Sequence, residues 1–124
     1  MTSKRAKQLR DAEYRELARN METVGSVLET LLPDFRQGAP PMTRTHHLGP
    51  FSGAPDDFDV VFIFATRAEA SEAAASGLRD AAAAKVVAML RSRDYPSDAL
   101  KTFKFDVASE EEIVEGGGDF YHWR

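Results

Sequence analysis

Two clusters of side chains in this sequence could bind a metal ion or transfer protons. His46 and His47 carry the imidazole most often used as a general base or metal ligand. Asp56, Asp57 and Asp59 carry carboxylates of the kind that hold Mg²⁺ or Ca²⁺. Neighbouring residues on a strand point to opposite faces, however, so the two histidines cannot easily share one metal. The residues after Asp59 are apolar where a twelve-residue calcium loop needs ligands. We therefore predict no metal and no cofactor, and keep a small metal-dependent enzyme built on these residues as the alternative.

The sequence contains no recognisable machinery for nucleophilic catalysis or phosphate binding. Ser52 does not lie in a Gly-x-Ser-x-Gly turn, and the phosphate-binding loop and dinucleotide fingerprints are missing. The glycines 116–118 have acidic neighbours, which would repel an anion. We predict no catalytic residues and a non-enzymatic function.

The C-terminal segment, residues 106–124, is the most unusual part of the chain. Six carboxylates lie between Asp106 and Asp119 without one Lys or Arg, and an aromatic run follows. Negative charge speeds encounter with a basic protein surface, and aromatic side chains anchor the contact. The alternative is that the aromatic side chains fill the core as an edge strand, beside a solvated acidic turn. The predicted partner-binding residues are Asp56, Asp57, Asp59, Glu110, Glu111, Glu112, Glu115, Asp119, Tyr121 and Trp123.

Composition narrows the class of protein. The 124 residues are predicted to form one domain, residues 1–124, with 43% hydrophobic and 29% charged residues. The chain has no cysteine, and no stretch approaches the roughly 20 apolar residues of a membrane span, so we expect a cytoplasmic protein that spans no membrane. A net charge of −4 argues against nucleic acid as a partner and favours a basic protein.

Residues 3–32 are predicted to form one long amphipathic helix that Pro33 ends. Its apolar residues recur at helical spacing: Tyr14, Leu17, Met21, Val24, Leu28 and Leu31. This stripe is expected to pack on its own domain. The alternative is a homodimer seam, which would make the protein a structural or regulatory module.

The rest of the domain, residues 34–124, is predicted to form a sheet with a crossover helix. A short edge strand is expected at Thr43–Leu48 and a central strand buried on both faces at Phe58–Ala65. Thr66 with Glu69 predicts the start of a helix that continues to about Arg93. Further strands are expected at Leu100–Val107 and Phe120–Arg124, separated by a capped turn that Ser109 and Glu112 begin. The predicted fold is an α+β two-layer sandwich, in which a small mixed three- to four-stranded sheet packs against two long helices.

The turn Ser109-Glu-Glu-Glu-Ile-Val114, the glycines after it and the terminal Phe120-Tyr-His-Trp-Arg124 resemble the ends of small bacterial toxin-immunity proteins. The resemblance covers the last quarter of the chain. It implies a single acidic domain without catalytic residues that inhibits a basic toxin by direct binding. We expect a protein of that kind, an immunity protein or inhibitor, acting as a monomer or homodimer.

Overall fold

The computed structural model describes residues 2–50 and 52–118. Within these ranges the chain forms five helices and three strands. In chain order they are α1 (Thr2–Phe35), β1 (Met42–Leu48), β2 (Asp59–Phe64), α2 (Arg67–Ala75), α3 (Leu78–Ser92), α4 (Ser97–Leu100), β3 (Lys104–Ser109) and α5 (Glu110–Glu115).

The three strands form one mixed sheet in the order β1-β2-β3. β1 runs antiparallel to β2, from Leu48 opposite Asp59 to Met42 opposite Phe64. β3 runs parallel to β2, as the crossover connection through α2 and α3 requires. The predicted mixed α+β fold is therefore confirmed at this level. The predicted strand Phe120–Arg124 lies outside the described residues.

β2 occupies the centre of the sheet because its side chains are apolar on both faces. Val60, Phe62 and Phe64 lie in the main core with α1, α2 and α3. Val61 and Ile63 point to the opposite face, where they pack with Ala108 and with Ile113 of α5. The continuous apolar run correctly predicted a central strand.

α1 extends two residues beyond the predicted stop at Pro33, so the expected end of this helix was wrong. A proline in the last turn removes one backbone hydrogen bond, but the residues that follow it can still adopt helical conformation. Phe35 is buried against Phe62, with ring centroids 5.8 Å apart, and this contact holds the last turn in place.

Only the C-terminal half of the apolar stripe on α1 packs in the core. Val24, Leu28 and Leu31 are buried, whereas the side chain of Tyr14 is 72% exposed. A helix of 34 residues is about 50 Å long, more than twice the length of strands of six or seven residues. The N-terminal half of α1 therefore extends past the sheet.

The second long helix predicted from Thr66 to Arg93 is two helices, so that prediction was wrong in its middle. The start is correct, because the Thr66 hydroxyl accepts a hydrogen bond from the backbone N–H of Glu69 at 3.1 Å. Gly77 then adopts a left-handed conformation, with φ of 86°, and separates α2 from α3. The high helix propensity of the alanines hid this break, which a glycine can make without steric cost.

The third strand begins later than predicted. Residues 97–100 form the short helix α4, and β3 begins at Lys104. Phe103 lies just before β3 and stacks on Phe58, with ring centroids 5.2 Å apart. The alternation of apolar and polar residues correctly predicted that Phe103 is buried. The strand itself begins only after α4 and a turn have brought the chain to the sheet.

We expect Gly49→Ala to destabilise the fold by about 1–3 kcal/mol, because this site has no room for a methyl group. A Cβ at position 49 would lie 2.6 Å from Cζ of Phe58, a fully buried ring that is itself stacked on Phe103. Urea denaturation monitored by circular dichroism measures the loss. Gly77→Asn is the matched control, since position 77 has open space around it and asparagine tolerates φ above zero. A Gly49→Ala midpoint equal to that of the wild type would contradict the packing at Phe58.

Candidate functional site

The acidic helix α5 is held firmly at its start. The Ser109 hydroxyl accepts a hydrogen bond from the backbone N–H of Glu112 at 3.1 Å, and the Glu112 carboxylate accepts one from the backbone N–H of Ser109 at 2.7 Å. Ser109 is fully buried at the end of β3. The predicted capping box is confirmed, and it fixes α5 relative to the sheet.

The other glutamates of α5 also contact partners within the chain. The Glu110 carboxylate accepts two hydrogen bonds from the guanidinium of Arg44 on β1, with N–O distances of 2.8 and 3.0 Å. Glu115 pairs with the guanidinium of Arg67 at the start of α2, and this contact raises the pKa of Arg67 above its usual value. Glu111 accepts the backbone N–H of Arg67 at 3.2 Å. Glu115 had no counter-charge within its own segment of the sequence, and Arg67 supplies one.

These contacts do not neutralise the surface around α5. Among residues 2–50 and 52–118, two arginines, Arg44 and Arg67, contact the four glutamates of α5, so two negative charges are not balanced there. Each ion pair is at least one-third exposed, so solvent screens it, and its contribution to stability is small. The main effect of the two arginines is to restrict the positions of the carboxylates.

An exposed apolar side chain lies among these carboxylates. Ile113 points to the sheet and is buried, whereas its neighbour Val114 is 73% exposed. A shallow depression is lined by Ala65, Glu110, Glu111, Val114 and Glu115. We call these five residues the α5 patch.

Sequence reasoning missed four residues of this region: Ala65 and Val114 of the α5 patch, and the arginines Arg44 and Arg67. In a helix of six residues against a sheet, Ile113 and Val114 cannot both be buried, and this was the available signal for Val114. The arginines left no signal in the sequence, because Arg44 reaches Glu110 over 66 positions and Arg67 reaches Glu115 over 48.

Asp56, Asp57 and Asp59 lie far from the α5 patch. Asp59 begins β2, and α5 follows the last residue of β3, the strand parallel to it. Five steps along these strands separate the two ends of the sheet by about 17 Å. The two predicted acidic groups therefore do not merge into one cluster. Three further predicted contact residues, Asp119, Tyr121 and Trp123, lie outside the described residues.

His46 and His47 are adjacent on β1, opposite Val61 and Val60, so this strand geometry puts their side chains on opposite faces of the sheet. His47 faces α1, where its Nε2 lies 3.1 Å from the carbonyl oxygen of Met21. Its ring also packs on Gly25, so close that a Cβ there would lie 3.1 Å from Cε1. Across residues 2–50 and 52–118, no three His, Asp or Glu side chains are grouped so that they could hold a metal ion. These contacts give His47 a structural role between α1 and β1.

We expect the fold to be less stable in mild acid than at pH 8, because the partly buried His47 resists protonation. Burial lowers the pKa of His47 below its usual value of 6.5, and the hydrogen bond to Met21 opposes this shift only in part. As the pH falls, His47 therefore takes up a proton in the unfolded chain before it does so in the folded protein. This uptake favours the unfolded chain, so the stability present above pH 6.5 is lost as the pH falls toward the lower pKa of folded His47. Thermal unfolding at pH 8 and pH 5.5 measures the loss.

His47→Gln is the control for this pH effect, since glutamine does not titrate and can still donate a hydrogen bond to Met21. The wild type should lose more stability than His47→Gln between the two pH values. An equal loss in both proteins would assign the effect to other groups.

No helix in the described part of the chain is long and apolar enough to cross a membrane. Comparisons of the chain with protein-family models, with curated proteins and with solved structures find no match. The geometry of the α5 patch is therefore the basis for assigning a function.

Proposed function

We propose that this chain is a non-enzymatic protein-binding domain that neutralises a partner with a basic surface. The proposed partner is a toxin domain, and the proposed role is that of an immunity protein or inhibitor acting in the cytoplasm. The observation that carries the proposal is the exposed Val114 surrounded by Glu110, Glu111 and Glu115.

The α5 patch has the anatomy of a protein–protein contact. Binding energy concentrates in a few side chains that lose water on association, and charged groups around them set orientation and encounter rate. Val114 would be the central apolar contact. Glu111 and Glu115 would attract lysines or arginines of the partner.

The patch is also organised before any partner binds. The capping box fixes the first turn of α5, and Arg44 and Arg67 hold Glu110 and Glu115 from two other elements. A partner therefore restricts fewer side-chain rotations on binding, which reduces the entropic cost of association. This arrangement favours a specific contact over a solubilising surface.

The five residues of the α5 patch are too few for a complete interface. A stable complex buries about 800 Å² on each partner, a surface roughly 30 Å across. A partner centred on Val114 would therefore cover neighbouring residues as well. The end of the sheet where Asp59 lies is about 17 Å from the start of α5, just beyond the roughly 15 Å radius of such a contact. Asp56, Asp57 and Asp59 are therefore not part of the proposed contact.

We predict that Glu111→Lys weakens binding of the partner about tenfold and that Val114→Asp weakens it about thirtyfold or more. The tagged wild type is used to capture the partner from the source cells, and the affinity of each variant for the purified partner is then measured. Both side chains are exposed, so these changes leave the core intact. Glu112 is left unchanged, because it belongs to the capping box.

Asp98→Lys is the matched charge reversal, at a carboxylate that is 97% exposed on α4. It should bind the partner as tightly as the wild type. Raising the salt concentration should weaken the wild type more than Glu111→Lys, since the variant has lost an attractive charge. If all four proteins bind equally, the α5 patch is not the contact surface.

A further inference from the structure

A second concave feature lies on the other face of the sheet, between the C-terminal end of α1 and the start of α3. Phe35, Met42 and Phe64 line it from α1, β1 and β2, and all three are buried core residues. Its cavity volume is about 110 Å³. We call it the α1–α3 pocket, and it shares no residue with the α5 patch.

Small residues on both sides keep this pocket open. α3 presents Leu78, Ala81 and Ala82 at helical spacing, and Gly38 in the turn after α1 also lines the cavity. Protein cores are packed to high density and contain few voids larger than a water molecule. An apolar, open-mouthed cavity of this size is therefore suited to an apolar group that comes from outside the fold.

The volume limits the size of that group. A cavity of about 150 Å³ accommodates a benzene molecule, so about 110 Å³ accommodates a branched aliphatic group of three or four carbons. An indole ring or a long acyl chain is too large.

Two charged side chains of opposite sign also line the pocket. Asp34 belongs to the last turn of α1, and Lys85 lies on α3. Both are exposed, and neither side chain has an ion pair or hydrogen bond with any residue in the described ranges. The pocket thus combines an apolar interior with a negative group and a positive group.

We propose that the α1–α3 pocket binds a free α-amino acid with a small apolar side chain, such as leucine, isoleucine or valine. The aliphatic side chain enters the cavity against Phe35 and Phe64. The ligand ammonium group binds Asp34, and the ligand carboxylate binds Lys85. A zwitterion satisfies both charges at once, whereas a fatty acid or an alkylamine satisfies only one.

The test is a titration of the full chain with L-leucine, followed by ¹H–¹⁵N correlation spectra. Saturable shifts at the amides of Leu78, Ala81 and Ala82, with a dissociation constant below about 1 mM, support the proposal. Three probes each lack one feature of the ligand: glycine, 4-methylpentanoate and 3-methylbutylamine. The dissociation constant of each probe should be at least about tenfold higher than that of L-leucine.

Variants assign the contacts. Lys85→Gln should weaken L-leucine about tenfold and leave 3-methylbutylamine, which has no carboxylate, unchanged. Ala81→Leu, at an exposed position of the rim, should fill the pocket and abolish the shifts. Lys101→Gln is the control, because Lys101 follows α4 and does not line the pocket. Thermal unfolding of each variant verifies its fold.

Three results would overturn the proposal. They are the absence of saturable shifts with L-leucine up to about 10 mM, glycine binding as tightly as L-leucine, and an unchanged affinity for L-leucine in Lys85→Gln. Because the pocket and the α5 patch share no residue, a failure here leaves the proposed protein contact unaffected.

Discussion

The burial of β2 on both faces is the constraint on which the other elements depend. Its five residues from Val60 to Phe64 are all less than 10% exposed, and fully burying each large apolar side chain stabilises the fold by about 1.5–3 kcal/mol. A single layer of helices cannot cover both faces of a strand. β1 and β3 must flank β2, and further elements must cover each face of the sheet.

The two faces are covered unequally, and this inequality creates the surface to which we assign function. α1, α2 and α3 cover the face that holds Val60, Phe62 and Phe64. On the opposite face the short helix α5 packs through Ile113. In α5 the side chain of Ile113 faces the sheet, so the side chain of the next residue, Val114, must point toward solvent. Val114 is therefore left exposed, beside the glutamates that favour the helix start.

Arg44 and Arg67 change the meaning of the acidic segment. In the sequence its carboxylates are an uncompensated negative run, whereas in the fold two of them belong to ion pairs with distant elements. Exposed pairs of this kind contribute little to stability, because solvent screens the charges. Their consequence is geometric, because they fix where the charge is presented. A partner would meet an ordered surface around Val114.

The sequence by itself determined the elements whose signals are local. The apolar run at 60–65 predicted the central strand, and Ser109 with Glu112 predicted the capping box. Both were confirmed, because backbone pairing and capping depend on residues close in the chain. Pro33 was misread because the burial of Phe35 against Phe62, which holds the helix beyond the proline, is a tertiary contact. The break at Gly77 was missed because the alanines around it favour a continuous helix.

Only the tertiary structure decided which residues meet. Tertiary contacts join distant segments in the pairs Arg44–Glu110 and Arg67–Glu115 and in the pocket lined by Asp34 and Lys85. The sheet register also keeps Asp59 apart from α5. Hydrophobic periodicity gives the face on which a side chain lies, but it carries no information about the element that packs there. The glutamates of the α5 patch were therefore predicted from the sequence, whereas Val114, the two arginines that pair with those glutamates and the whole α1–α3 pocket were not.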